Sequence, residues 1–265
     1  MGKIGVGIVT CNRPSFFLKC FRSIPNVDSL VIVNDGSDFE DIDKLKDEKI
    51  FTYIHNKENL GVGKSKNKLL KFLLDEECDH IFIIEDDIII KDTTVFEKYI
   101  NASKISGIEH FCFGYHGPAN RGGISKGKPT PKFIVDYKTF KLAFNAHSVG
   151  AFCYYSKNTL NKVGLIDEDF TNAFEHVEHS YRIAKAGFCT PYWNWPDLAN
   201  SYELLEELEC SEYSSSIRPR SDWQENIKKG ALLFQKKHNY LPAWQGAVPD
   251  TKQEDIFKFL KKIKP

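Results

Sequence analysis

Three consecutive carboxylates, Glu85-Asp86-Asp87, interrupt two apolar runs, Ile81-Phe82-Ile83-Ile84 before them and Ile88-Ile89-Ile90 after. The first run is rich in β-branched and aromatic residues and reads as a fully buried strand. Acids delivered by such a strand are costly to bury unless water, a cation or a metal neutralises them. In open α/β sheets the carboxyl ends of strands are also where ligands bind. The chemistry on offer is therefore cation or metal binding. The plain alternative is a solvated acidic turn between two strands.

Three further stretches carry candidate chemistry. Asn34-Asp35-Gly36-Ser37 follows an apolar run and has a common turn composition. Combined with Thr10 at the end of the first apolar run and with the acidic triplet, it could form a loop that reads a base and a ribose. Gly63-Lys64-Ser65 tempts a P-loop reading, but Glu58 stands where that motif needs its first glycine. What remains is a glycine-softened helix start with Lys64 and Lys66, able to hold an anion through amides and the helix dipole. In Glu175-His176-Val177-Glu178-His179, two histidines lie three apart and could share a helix face, leaving a zinc site open. The spacing matches neither His-Glu-x-x-His nor His-x-x-Glu-His. Glu175, at a helix start, is a candidate general base.

The elements that must position these groups follow from apolar periodicity. Strands are expected at Ile4–Thr10, Ser29–Val33, Phe51–His55 and His80–Ile84, with helices after Pro14, from Gly63 to Leu74 and from Asp92 to Lys104. This alternation predicts a parallel sheet of βαβ units. Further strands are expected at Phe111–Tyr115, Phe133–Ala143 and Gly150–Tyr155, and a helix at Phe174–Ala186. Two closing helices are expected at Asp222–Lys237 and Lys252–Lys262. The stretch His116–Lys132 has no acid and carries Arg121, Lys126, Lys128 and Lys132, which suggests a mobile basic lid, an acceptor loop or a merely solvated loop. Ser211–Ser221, with Arg218 and Arg220, reads as a second flexible loop. Tyr192, Trp193 and Trp195 form an aromatic knot for packing or for stacking on a sugar.

Composition bounds the function. The 265 residues suit one large α/β domain or two small ones. Lys plus Arg number 36, as do Asp plus Glu, so no global field draws the protein to nucleic acid or to an anionic membrane. Seven cysteines without a Cys-x-x-Cys pair argue against a disulfide scaffold and a zinc ribbon. The N-terminus lacks a secretory apolar stretch, and Val6 stands where myristoylation needs Ser or Thr. No stretch is long enough to span a bilayer. A cytoplasmic location is expected.

Taken in order, Val9-Thr10-Cys11-Asn12-Arg13-Pro14, Asn34-Asp35-Gly36-Ser37, Asn59-Leu60-Gly61 through Asn67, and Glu85-Asp86-Asp87 resemble a family 2-type glycosyltransferase of the GT-A fold. Gly164-Leu165-Ile166-Asp167-Glu168 and Glu175 through Arg182 extend the resemblance, which covers residues 4–190. It implies an α/β GT-A fold, a Rossmann-like mixed sheet flanked by helices, with C-terminal helices. The implied organisation is one catalytic domain over 1–245, with a nucleotide-binding half (1–92) and an acceptor-side half (93–210), then a helical tail (246–265).

The resemblance also implies roles. Thr10 and Asp35 would hold the nucleotide base, with Asn12 and Gly61 in the same binding set. Lys66 replaces an arginine near the base, Asp86 would contact the ribose, and Asp87, supported by Glu85, would ligate Mn²⁺ or Mg²⁺. At the usual catalytic aspartate this chain has His176. Either Glu175 takes the role of base, the favoured reading, or His176 does, or transfer activity is lost. The implied reaction is metal-dependent, inverting transfer from a nucleotide-diphosphate sugar, UDP-sugar favoured, to a hydroxyl of a polysaccharide or glycolipid precursor. The alternatives are glycosylation of a modified DNA base, a non-catalytic nucleotide-sugar-binding module and, more distantly, a zinc hydrolase built on His176 and His179.

Overall fold

Strand β1 (Ile4–Thr10) is buried along its whole length, as its apolar run between glycines requires. Its neighbours are β2 (Ser29–Asp35), whose partner on the far side is β3 (Thr52–Asn56), and β4 (His80–Glu85). These four strands are parallel. Beyond β4 the sheet continues with β9 (Phe152–Ser156), antiparallel to it, and β6 (His110–Cys112), giving the order β3-β2-β1-β4-β9-β6. The chain steps outward from β1 to β3 and then returns to the other side of β1 for β4. That reversal makes the carboxyl ends of β1 and β4 a topological switch point. The computed structural model describes residues 2–39, 42–115, 119–121, 128–191, 193–208, 221–239, 241–242 and 253–263.

Helices α1 (Pro14–Ser23) and α2 (Val62–Asp75) connect the first strands, and α3 (Val95–Ser106) precedes β6. Packing between α2 and β1 is close because β1 has glycine where α2 crosses it. A Cβ on Gly7 would lie 2.9 Å from the Cβ of Leu69, and one on Gly5 would lie 2.7 Å from the Cys78 sulfur. Apolar side chains from both sheet faces fill the core, with Phe82, Phe96, Tyr99, Phe152 and Tyr154 in mutual ring contact.

The chain departs from the expected elements in three places. The single strand expected at Phe133–Ala143 is a hairpin of β7 (Phe133–Asp136) and β8 (Lys141–Asn145). Its turn is built by Lys138 at φ +68°, whose N–H donates to Asp136 Oδ1 at 2.7 Å. With β10 (Trp195–Leu198) these strands make a separate three-stranded sheet. The strand expected at Phe111–Tyr115 ends at Cys112, because the Gly114 N–H leaves the sheet to donate to Asp197 Oδ2 at 2.8 Å. The run Ile88–Ile90 (β5) leaves the main sheet and pairs antiparallel with β11 (Leu205–Glu207). That departure forces the sharp turn in which Asp86 and Asp87 sit.

After β9 come α4 (Lys157–Val163) and α5 (Glu175–Lys185); the short α6 (Ser201–Leu204) precedes β11, and α7 (Trp223–His238) and α8 (Gln253–Ile263) follow it. Trp193 and Trp195 are buried and edge-to-face at 5.5 Å, with Trp193 also against Phe234 of α7. Their use is packing, and the sugar-stacking reading falls for both; Tyr192 lies outside the described residues. Loop residues 116–118 and 122–127, with Lys126, and 209–220, with Arg218 and Arg220, also lie outside them, as do residues 243–252 at the start of the expected tail.

Candidate active site

Register puts the candidate residues on one edge. Thr10 of β1 is paired with Asn34 of β2, and Val9 with Glu85 of β4, so the next residues of all three strands emerge together. A cleft at this edge is lined by Thr10, Cys11, Arg13, Asp35, Asn59, Glu85, Asp86 and Asn172.

On the β2 side, Asn34 closes its own turn, accepting from the Ser37 N–H at 3.0 Å and donating to the Ser37 carbonyl at 2.7 Å. Asp35 is buried and reaches across to the loop before α2. Its Oδ1 accepts from Asn56 Nδ2 and the Leu60 N–H, each at 2.8 Å, and its Oδ2 accepts from the Gly61 N–H at 3.1 Å. The anion expected at the start of α2 is thus Asp35 itself, and Lys64 points to solvent. A carboxylate has about four acceptor positions, so Asp35 keeps one toward the cleft. Asn12, at φ +55°, donates its N–H to Ser37 Oγ at 2.6 Å, tying the β1 and β2 loops together.

On the β4 side, Asp86 is buried. Its Oδ2 accepts from the Thr10 hydroxyl at 2.7 Å, and its Oδ1 is ion-paired with Arg13. The other arm of the Arg13 guanidinium meets Asp87 Oδ2 at 3.2 Å. Burial pushes the Asp86 carboxyl up to about 7; Arg13 pulls it down and Asp87 adds to the rise. Arg13 is the functional residue that sequence reasoning missed. It stood inside the quoted Cys11-Asn12-Arg13-Pro14 stretch, but nothing in the spacing says which acids it meets.

Lys66, expected near the base, lies instead beneath the acidic turn. Its Nζ is 2.6 Å from Glu85 Oε1, 3.0 Å from the Gly150 carbonyl and 3.5 Å from Glu175 Oε1. Burial alone would lower the ammonium's pKa, but Glu85 and Glu175 more than reverse that and raise it. Glu85 is therefore engaged by Lys66 through Oε1 while its side chain, 25 % exposed, lines the cleft.

Glu175 opens α5 after Phe174, which adopts φ +66°, an uncommon conformation for an aromatic residue. Its carboxylate meets His176 Nδ1 at 3.0 Å. Burial alone would raise Glu175, but His176 and Lys66 hold it down to about 2. So acidic a carboxyl accepts protons poorly near neutral pH. The His176 side chain is 25 % exposed against 4 % for Glu175. Its ring lies against Gly150, where a Cβ would come within 2.7 Å of the ring carbon. Because an ionised carboxylate only accepts, Nδ1 carries a proton, and in the neutral ring Nε2 is then the acceptor.

The zinc reading of His176 with His179 does not survive. His179 is buried, its Nε2 is 2.9 Å from the Gly164 carbonyl, and burial lowers it to about 3. Its partner in the proposed pair is turned to Glu175 instead. Among the described residues no group of three or more His, Cys, Asp or Glu side chains could hold a metal ion. Glu178 and Arg182 are structural: Arg182 Nε meets Glu178 at 2.9 Å while its NH groups hold the Val163 and Leu165 carbonyls. The described cations of the expected basic lid are also engaged. Arg121 is buried and 2.8 Å from Glu207, Lys132 donates to the Trp193 carbonyl at 3.4 Å, and Lys128 lies 4.6 Å from the Tyr202 ring centre. Arg121 is thus closed to an incoming phosphate, while Lys128 and Lys132 are exposed.

Comparison with known proteins adds the following. The profile of glycosyl transferase family 2 matches residues 5–151. An uncharacterized glycosyltransferase, R363, of Acanthamoeba polyphaga mimivirus is 27 % identical over 245 residues, covering 87 % of this chain and 84 % of that protein. GalNAc-T7, solved with UDP, GalNAc and Mn²⁺, is similar at TM-score 0.56 and 12 % identity, over 99 % of this chain and 54 % of its own. TarS 1–349 of S. aureus is similar at TM-score 0.51 and 15 % identity, over 68 % of this chain and 55 % of its own. This chain spans about half the length of those two solved chains. At such identities the likeness is one of fold, and the fold is GT-A. No helix among the described residues is long and apolar enough to cross a membrane.

Proposed function

The chain belongs to glycosyl transferase family 2, and from that premise we propose a metal-dependent, inverting transferase moving a sugar from a nucleotide-diphosphate sugar to an acceptor hydroxyl. The observation that carries this reading is the shared edge of β1, β2 and β4, where Thr10, Asp35 and Asp86 line one cleft and Asp87 follows Asp86 directly. UDP-sugar and Mn²⁺ are the first donor and metal to test, supported by the UDP and Mn²⁺ of the GalNAc-T7 structure. A carbohydrate or glycolipid is the proposed acceptor. Glycosylation of a DNA base loses one supporting cation, since Arg121 is buried against Glu207, while Lys128 and Lys132 are exposed.

The acidic turn fits a divalent cation. Asp86 and Asp87 are hard oxygen donors, and they already face one cation, the Arg13 guanidinium. Mg²⁺-like ions are commonly held by one or two carboxylates plus substrate phosphates, so a site of two protein carboxylates suffices. Asp87 and Asp86 would hold the ion; Glu85, engaged by Lys66, supports the turn. When bound, the ion supplies Lewis-acid neutralisation of the departing diphosphate.

The chain's own residues do the rest. Thr10 orients Asp86, and Asp35 shapes the base side of the cleft by holding Leu60 and Gly61. His176 Nε2 takes the proton of the acceptor hydroxyl as that oxygen attacks the anomeric carbon. Glu175 holds the Nδ1–H and balances the imidazolium that forms, the arrangement that makes histidine an effective base. Glu175 thus becomes the positioning residue and His176 the base.

A thermal-shift screen of nucleotide sugars, each with Mn²⁺ and with chelator, tests the reading on wild type and Asp87→Ala. Stabilisation that needs one donor together with metal, and is lost in the variant, is expected. The absence of a shift with every nucleotide sugar would remove the donor site from this cleft. Binding without turnover would favour the non-catalytic module.

A further inference from the structure

Arg13 has no part in the proposed reaction so far, yet it is ion-paired with both Asp86 and Asp87. Its two NH groups divide between Asp86 Oδ1 and Asp87 Oδ2. Both carboxylates are almost wholly buried, with side-chain exposures of 1 % and 5 %. Neither can be left without a counter-charge. The Arg13 side chain is 14 % exposed and lines the cleft, and its guanidinium rests beside Phe16, 5.4 Å from the ring centre. The Arg13 backbone is the N-cap of α1, the carbonyl accepting from the Phe17 N–H at 3.0 Å, so a change of partners needs only the long side chain to rotate.

A divalent cation held by Asp86 and Asp87 would compete for carboxylate oxygens that the guanidinium now engages. Two carboxylates also cannot balance a guanidinium and a divalent ion together in so little solvent. The diphosphate of a donor supplies the missing negative charge, and guanidinium forks pair well with phosphate oxygens.

We propose that Arg13 and the divalent cation are mutually exclusive counter-ions of Asp86 and Asp87, and that the donor's diphosphate drives the exchange by taking the guanidinium. Arg13 is then both an internal competitor of the metal and a diphosphate ligand. Metal binds weakly alone and tightly with nucleotide diphosphate, which links cation loading to donor arrival. The inference rests on the donor-site reading above and adds the order of binding to it.

The test is Mn²⁺ affinity, read from the signal of free Mn²⁺ in titrations of wild type, Arg13→Gln, Arg13→Lys and Asp87→Asn, without nucleotide and then with UDP or GDP. Without nucleotide, Arg13→Gln is expected to bind Mn²⁺ about tenfold more tightly than wild type, a typical coupling between sites. Arg13→Lys, a point charge without the fork, should fall between. In wild type, UDP or GDP should tighten Mn²⁺ by a similar factor, and Mn²⁺ should tighten that nucleotide equally, as reciprocity demands. In Arg13→Gln this mutual gain should shrink. Equal or weaker Mn²⁺ binding by folded Arg13→Gln, or a wild-type affinity that neither nucleotide raises, overturns the exchange. Should Arg13→Gln fail to fold, the lysine variant and the wild-type coupling still decide. If Asp87→Asn binds Mn²⁺ as well as wild type in every condition, the metal reading itself falls. Loss in Asp87→Asn with no change in the Arg13 variants sinks the exchange alone.

Discussion

At the residue scale, the division of labour between Glu175 and His176 follows from which carboxylate is engaged by what. Glu175 faces both Lys66 and His176, so it is the group best held in its charged form. His176→Ala is expected to lower kcat by about 10²–10⁴ with little change in donor KM, the usual range for loss of a general base. Glu175→Gln should cost about tenfold, because an amide still accepts from Nδ1 but balances no imidazolium. Steady-state kinetics on both variants checks the order, and a larger loss in Glu175→Gln would return the base to Glu175. The same carboxyl sets an acid limb of stability. Its folded pKa of about 2 lies below the ordinary 4.5, so its contribution is present above about 4.5 and is lost as pH falls toward 2. Urea midpoints of wild type should fall through that window more steeply than those of Glu175→Gln.

At the element scale, the site depends on how closely α2 lies on β1. Gly7 leaves room for Leu69, and the same helix carries Lys66 beneath the acidic turn. Gly7→Val drives a branched side chain into that contact and is expected to destabilise by about 1–3 kcal/mol. It should also weaken donor binding, since α2 and Asp35 are joined through Leu60 and Gly61. Chemical denaturation and donor titration measure the two effects. Most elements of the first half were legible from apolar periodicity, because each is a short buried strand or a one-sided helix. The hairpin of β7 and β8 was not: Tyr137-Lys138-Thr139-Phe140 contains no Gly, Pro or Asn, and Lys138 adopts a positive φ that no local composition announces.

At the scale of the whole molecule, helix α7 from the C-terminal part of the chain bears on the start of α5. Gly230 of α7 sits where a Cβ would come within 2.8 Å of the Phe174 ring and 3.0 Å of the Ala173 carbonyl. Phe174 is the left-handed residue that aims Glu175 and His176. Alanine in a helix interior ordinarily gains about 1 kcal/mol over glycine. Gly230→Ala is expected to do the reverse, lowering the melting temperature and kcat together by displacing Phe174. Leu232→Ala, on the exposed side of the same helix, should stay within about 0.5 kcal/mol of wild type. A stabilised, fully active Gly230→Ala would show that α7 does not govern the site.

The amino-acid sequence by itself determined the class of fold, the strands that lead into Thr10, Asp35 and Glu85, and the family. These depend on local periodicity and on short motifs in a fixed order. Only the tertiary structure decided which charges meet. Arg13 and Asp87 are 74 positions apart and Lys66 and Glu85 are 19 apart, so no spacing rule links them. Lys66 went to Glu85 and Glu175, Asp35 went to the amides before α2, and His179 went to a backbone carbonyl. In each case burial made an unpartnered polar group too costly, and the nearest partner was set by how the sheet brought distant segments to one edge.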